Sequence, residues 1–243
     1  MKIRLVLLCF CATISSWPAR AQNGLVRGHF VALKKMARLE TLTARGKNFE
    51  AESTFPIFRA RTSLARAANA QIRHQAATDF RAWLKEARDQ SKDFTPPAPL
   101  EFQSHPDAKV FLAPRLISLR FDAYQYDGGA HSMGWMSPFN IGVVGGRAKA
   151  LVLGDFFQPQ TPYRTLVETK VLAKLRKNPG AMWVIDGSVS KLETRQFNNF
   201  VVERDGLRWL FNPYEMGPYA AGQFEIKLSF AELGSGFRRD WLR

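Results

Sequence analysis

Residues 200–211 read Phe200-Val201-Val202-Glu203-Arg204-Asp205-Gly206-Leu207-Arg208-Trp209-Leu210-Phe211. Two apolar runs, β-branched and aromatic, flank Asp205-Gly206, a dipeptide favoured in two-residue hairpin turns. The spacing predicts an antiparallel hairpin, 200–202 against 207–211. Downstream, Phe224, Ile226, Leu228 and Phe230 alternate with Glu225, Lys227 and Ser229, a period of two that puts one face of a last strand in the core. Upstream, Ile117, Leu119, Phe121 and Ala123 alternate with Ser118, Arg120, Asp122 and Tyr124, and Phe139, Ile141 and Val143 mark a further strand. Gly145-Gly146 turns that strand into residues 148–153.

Helical spacing interrupts the strands. Leu64, Ala68, Ile72, Ala76, Phe80, Trp83, Leu84 and Ala87 form one stripe, with Thr62 or Ser63 as N-cap. A second helix follows Thr161, its expected cap, with Pro162 in the first position and Asn178-Pro179-Gly180 as the stop. Residues 49–55 read as a strand ended by Pro56. Residues 22–45 read as a tether or a short helix over 30–42, and residues 94–99 as a Pro-rich break. The expected fold is α+β: a mostly antiparallel sheet with hairpins, and one or two main helices packed on one face. The expected division is 46–112 and 113–235, followed by a frayed basic tail at 236–243.

Lys2 and Arg4, the apolar run 5–12 and Ala19-Arg20-Ala21 are ordered as the n-region, h-region and cleavage site of a secretory signal. Cleavage after Ala21 predicts a periplasmic or secreted protein. It removes Cys9 and Cys11, the two cysteines of the chain, so thiol nucleophiles, disulfides and Cys-ligated zinc are not expected afterwards. No later stretch reads as a transmembrane segment. Loss of Lys2, Arg4 and Arg20 takes the net charge from +14 to +11, a surplus that favours anionic partners. The basic residues are scattered and lack a nucleic-acid-binding signature, so nucleic acid is not expected. Four histidines, His29, His74, His105 and His131, stand far apart without metal-ligand spacing, so neither metal nor cofactor is expected.

Two loops can carry chemistry. In Tyr124-Gln125-Tyr126-Asp127-Gly128-Gly129-Ala130-His131 a strand ends, two glycines permit a tight turn and a histidine follows. Here His131 is either a loop-locking residue or an acid, base or ligand. Phe211-Asn212-Pro213-Tyr214-Glu215-Met216-Gly217-Pro218-Tyr219-Ala220-Ala221-Gly222 is an irregular connection, rich in aromatics, between two strands. Loops on a rigid sheet concentrate binding residues, and tyrosine buries area while keeping a polar tip. The same segment also reads as a crossover packing its own aromatics.

These two segments resemble the extracytoplasmic domain family of the anti-sigma factor RsiV and of PdaC-type peptidoglycan deacetylases. The resemblance rests on Tyr126 before Gly128-Gly129-Ala130-His131, on Leu153-Gly154-Asp155-Phe156-Phe157, on Asn199-Phe200, and on residues 213–222, over 113–233 in order. It implies an exported α+β domain. In RsiV-like proteins the domain binds lysozyme, and in the deacetylases it accompanies a separate catalytic domain. The chain lacks the sigma-binding segment and the deacetylase domain, so those activities are not expected here. The expected function is a non-catalytic binding module of the cell envelope, recognising a protein (lysozyme-like) or a peptidoglycan-type glycan. The expected ligand-binding residues are Tyr126, Asp127, Gly128, Gly129, His131, Tyr214, Glu215 and Tyr219. The alternatives are an envelope-polymer hydrolase using His131 with a carboxylate, and a structural envelope protein without a ligand site.

Overall fold

The computed structural model describes residues 4–7, 28–93 and 95–242. The expected leader lies outside the described residues apart from Arg4–Leu7, and so does its cleavage site. The contacts divide the chain into two compact units. The first holds Val31–Lys109 and Phe121–Gly134 together with residues 4–7, and the second holds Val110–Arg120 and Trp135–Arg243 together with residues 28–30. No helix among the described residues is long and apolar enough to cross a membrane.

The first half of the chain runs β1 (Arg4–Leu7), β2 (His29–Ala32), α1 (Leu33–Met36), β3 (Ala37–Arg45), β4 (Phe49–Phe58), α2 (Ser63–Asp93), β5 (Leu100–Pro106), β6 (Lys109–Ala113) and β7 (Leu116–Tyr126). In the first unit the strands lie in the order β1-β3-β4-β5-β7. The pairs are antiparallel except β4 with β5, which are parallel and joined by α2 as the crossover that parallel neighbours require. The apolar stripe of α2 covers one sheet face: Phe80 and Trp83 pack against Phe102, and Trp83 against Phe49. Thr62 is the cap, its hydroxyl accepting the Ala65 N–H at 3.1 Å. Arg73 leaves the helix to hold Glu40 of β3 at 3.0 and 3.2 Å. Burial opposes the charge on Glu40, but the Arg73 and Arg38 guanidiniums outweigh it and hold the carboxyl below its usual range.

Two expectations are corrected here. Residues 30–42 are mainly strand, β2 and β3, with a single helical turn between them. Pro56 does not end β4, which runs on to Phe58. The parallel pairing with β5 stops at Ser53, so a missing N–H at Pro56 interrupts no ladder bond on that side. Past that point Asn69 of α2 takes the place of the neighbouring strand. Its amide accepts the Phe58 N–H at 2.8 Å and donates to the Phe58 carbonyl at 3.0 Å.

The chain continues as β8 (Met133–Val144), β9 (Arg147–Ala150), α3 (Tyr163–Leu175), α4 (Met182–Ile185), α5 (Thr194–Asn198), β10 (Phe200–Val202), β11 (Gly206–Phe211) and β12 (Phe224–Ser229). Gly145 and Gly146, at φ 55° and 79°, make the β8–β9 turn. In the second unit β10, β11 and β12 form an antiparallel sheet, whose core face meets Val167, Val171, Leu172 and Leu175 of α3. α3 begins after Pro162, and the expected cap Thr161 makes its contact through its backbone carbonyl rather than its hydroxyl.

The hairpin forms as predicted, but its two central residues are Arg204 and Asp205, because Glu203 N–H bonds the Gly206 carbonyl at 2.9 Å. Gly206 is required by crowding rather than by the turn: a Cβ there would lie 2.1 Å from the Leu228 carbonyl oxygen. The tail is not frayed. Trp241 is 1 % exposed, packs at a tilt on Phe156 with ring centroids 5.5 Å apart and donates its indole N–H to the Asp155 carbonyl at 3.0 Å. Gly142 leaves room for it, since a Cβ there would lie 2.8 Å from the Trp241 ring.

The half-buried reading of residues 117–124 also changes at Ser118, which is 1 % exposed. Its hydroxyl donates to Asn140 Oδ1 at 2.6 Å and accepts the Val202 N–H at 2.8 Å, while Asn140 donates to the Phe200 carbonyl at 2.7 Å. A buried polar network this complete is stabilising only while every member is present. Asn140→Leu is expected to lower unfolding free energy by roughly 2–4 kcal/mol, since it strands a buried hydroxyl and a buried carbonyl. Chemical denaturation with an unchanged m-value checks this, and a loss near zero contradicts it.

The solvent face of the small sheet is a charge ladder. Arg208 and Lys227 face each other directly, a repulsive placement. Glu203 sits between them, 2.5 Å from Arg208 and 2.8 Å from Lys227. Lys227 also meets Asp205 at 2.5 Å, and Glu225 meets Arg120 at 3.0 Å. Burial opposes ionisation of Glu203, but bonds from Arg208 and Lys227 hold its carboxyl low, and Lys227 does the same for Asp205. At the end of β12, Ser229 and Glu232 bond each other's backbone N–H groups reciprocally, as in a capping box. Lys174 adds a bond at 2.7 Å, and the Glu232 carboxyl is lowered from 4.5 to about 2. These folded-state values lie below the unfolded ones, so the stabilisation is complete above about pH 5 and is lost as the pH falls. For Glu232 the loss runs from about 4.5 down to about 2. Glu232→Gln is expected to flatten that part of the acid limb in melting temperatures measured from pH 6 to pH 2. An unchanged acid limb would contradict the assignment.

Candidate functional site

The residues expected to bind fall in both units, and each group is described within its own. In the first unit, β7 ends at Tyr126, which is opposite Glu101 on the sheet face away from α2. Gln90 near the end of α2 donates to the Asp127 carbonyl at 2.9 Å, and Gln125 donates to the Asp127 carboxylate. Gly128 adopts φ 80°, a conformation that favours glycine, whereas a Cβ on Gly129 would enter open space. His131 is exposed, with Nδ1 3.0 Å from the Ser132 carbonyl. The turn is thus anchored by the helix and delivers an accessible imidazole.

In the second unit the connection between β11 and β12 is built from its first residue. The Asn212 side chain mimics a strand: Oδ1 accepts the Met136 N–H at 2.7 Å and Nδ2 donates to the Met136 carbonyl at 3.3 Å. Asn212 through Glu215 closes a β-turn, Glu215 N–H to Asn212 carbonyl at 3.1 Å, with Pro213 at its second position. Tyr214, third in the turn, has φ 66°, the one left-handed non-glycine among the described residues. Glycine suits that position, and a tyrosine there costs about 1 kcal/mol. The residue is nevertheless 47 % exposed.

Glu215 points inward. Its side chain is 5 % exposed, receives the Asn212 N–H at 2.8 Å and pairs with Arg195 of α5. Burial disfavours the charge on Arg195, but Glu193 and Glu215 together raise its pKa. Met216 is fully buried, and its carbonyl accepts the Trp183 N–H at 3.2 Å. Gly217 lies so near α4's approach that a Cβ would sit 2.5 Å from the Gly180 carbonyl oxygen. The loop is thereby sewn to α4, and three rings gather at the surface. Trp183 and Tyr214 have centroids 6.4 Å apart at 22°, and Tyr214 and Tyr219 5.8 Å apart at 34°. Met182 and Ile185, 55 % and 52 % exposed, continue the apolar surface on α4.

Trp183, Met182 and Ile185 were not among the expected residues. Ala181-Met182-Trp183-Val184-Ile185 reads in sequence as a short core run, and Ala181 and Val184 do face inward. One helical turn cannot bury all sides of such a run, so the other three residues lie partly or largely at the surface. Among the described residues there is no cluster of three or more His, Cys, Asp or Glu able to hold a metal ion.

Residues 43–134 match the family described as deacetylase PdaC, and residues 154–231 match a protein family of unknown function, DUF3298. The peptidoglycan-N-acetylmuramic acid deacetylase PdaC of Bacillus subtilis (strain 168) is 22 % identical over 195 residues, covering 78 % of this chain and 39 % of its own length. The chain thus spans well under half of that relative. Crystal structures of DUF3298 family members from Bacteroides fragilis NCTC 9343 and Pseudomonas aeruginosa PAO1 share the fold. Their TM-scores are 0.52 and 0.54, at 17 % and 13 % identity. Each covers 85 % of this chain, over 97 % and 96 % of its own. The chain is thus similar to PdaC over residues 43–134 and to DUF3298 over residues 154–231.

Glu215→Ala is expected to loosen the loop while the rest of the second unit stays folded. Hydrogen exchange should quicken at residues 212–217 and stability should fall by roughly 1–3 kcal/mol, since Arg195 and the Asn212 N–H lose a buried acceptor. Unchanged exchange in that segment would show that Glu215 does not hold it.

Proposed function

We propose that this chain is an exported, non-catalytic binding module of the cell envelope, whose ligand is a protein (lysozyme-like) or a wall glycan. The observation that carries the reading is Tyr214. A locally unfavourable residue holds a left-handed turn position and keeps its ring at the surface. Strain of this kind persists where the surroundings over-determine it, and it concentrates at ligand-contacting sites. The single acid of the loop, Glu215, is turned inward onto Arg195 and a backbone N–H, so the loop presents aromatic surface rather than an acid–base pair. The relationship to a peptidoglycan deacetylase supports an envelope setting. Tyr126, Asp127, Gly128, Gly129 and His131 form the proposed second contact loop.

A hydrolase acting through His131 with a carboxylate is the second reading, favoured by the exposure of that imidazole. One experiment addresses both readings. The purified exported protein is mixed with peptidoglycan sacculi and, separately, with immobilised lysozyme. Retention on one of them without release of soluble fragments is expected. Tyr214→Gly, which suits the turn better, should keep or raise the melting temperature while weakening retention severalfold. Retention on neither support refutes the binding reading, and fragment release that His131→Ala abolishes establishes the hydrolase instead.

A further inference from the structure

In the second unit a ring from outside the two loops joins the tyrosines of the β11–β12 connection. Trp183 lies on α4, Tyr214 and Tyr219 on the β11–β12 loop, and their rings form one continuous group. Its framework is rigid. Trp183 N–H is bonded to the Met216 carbonyl, and the Trp183 carbonyl accepts the Val189 N–H at 2.6 Å. Buried Met216 anchors the loop between them, and Gly217 packs directly on the Gly180 carbonyl. A surface held this way loses little freedom on binding, which is the main cost for a shallow, apolar site.

Building on the binding reading above, we infer that Trp183, Tyr214 and Tyr219 form a stacking platform for the pyranose rings of a wall glycan strand. Three observations favour a sugar chain over a protein. The apolar surface is small, with Met182, Ile185 and Tyr214 exposed and Trp183 and Tyr219 half-buried, whereas a stable protein interface engages about 20–30 residues a side. Trp183 and Tyr214 stack at 22° and Tyr219 tilts against Tyr214 at 34°, so the rings form one aromatic cluster whose outer side takes the C–H face of a saccharide. The positive surplus, +14 on the full sequence and +11 once the expected leader is removed, attracts polymers that carry carboxylates and disfavours a basic protein at long range.

The test compares wild type, Trp183→Ala, Trp183→Phe and Tyr219→Ala in the full exported protein. Circular dichroism and melting curves confirm the fold of each. The probes are chitotetraose by titration calorimetry, peptidoglycan sacculi by sedimentation, and lysozyme by surface capture. Wild type is expected to bind tetraose and sacculi. Trp183→Ala and Tyr219→Ala should each weaken both at least about tenfold, as expected for the loss of a stacking anchor, with Trp183→Phe within about threefold. Sacculi bound equally well by wild type and Trp183→Ala would overturn the platform while leaving the module reading intact. Capture of lysozyme alone, or of sacculi without tetraose, would overturn the saccharide assignment and again leave a binding module. Binding to none of the three would overturn both.

Discussion

The hydrogen bonds that Ser118 and Asn140 make with the backbone of β10 are the constraint on which the second unit is organised. A strand of three residues has little ladder of its own, and its N–H and C=O groups are buried with Phe200 and Val202. Two side chains from β7 and β8 supply what a further strand would otherwise provide. Once β10 is set, β11 and β12 follow in register, Trp209 and Phe211 fill the core, and α3 closes over them. The position of the β11–β12 loop is therefore inherited from a polar pair that lies inside the unit, away from any surface.

The same device recurs where the chain needs a strand neighbour and has none. Asn69 pairs with Phe58 past the end of β5, and Asn212 pairs with Met136 at the start of the loop. A side-chain amide has one acceptor and one donor group in the geometry of a peptide unit, so it satisfies a strand end without extending the sheet. At Asn212 this has a local structural consequence. The loop leaves the sheet from a fixed point, and the turn that follows is forced to carry Tyr214 in a conformation the residue would not choose. Rigidity and local strain are two sides of one arrangement.

Charge is handled differently from apolar surface. The chain is strongly basic, yet the cations described on the small sheet are interleaved with carboxylates rather than massed. Arg208 and Lys227 would repel across the strands, and Glu203, Asp205 and Glu225 convert the repulsion into a ladder. Such a face adds to stability above mildly acidic pH, while the group around α4 is aromatic and aliphatic.

The amino-acid sequence by itself determined the elements that depend on period and turn chemistry. The stripe of α2 with its Thr62 cap, the strands at 117–123, 139–143 and 224–228, the Gly145-Gly146 turn and the 200–211 hairpin are all local consequences of residue spacing, and the α+β class follows from them. The tertiary structure decided what depends on neighbours distant in the chain. Pro56 continues a strand because β5 stops short of it, and Trp241 is buried because Gly142 leaves it space. Ser118 is interior because Asn140 meets it, and Gly206 is required by a carbonyl on β12. The candidate surface divides along the same line. Tyr214 and Tyr219 were legible as aromatics in an irregular loop, but Trp183 reads as core until the fold shows that α4 is a single turn with one side against the protein. Glu215, legible as a candidate ligand-binding acid, is instead turned inward to hold the loop, because burial and pairing are properties of the folded chain and not of the residue.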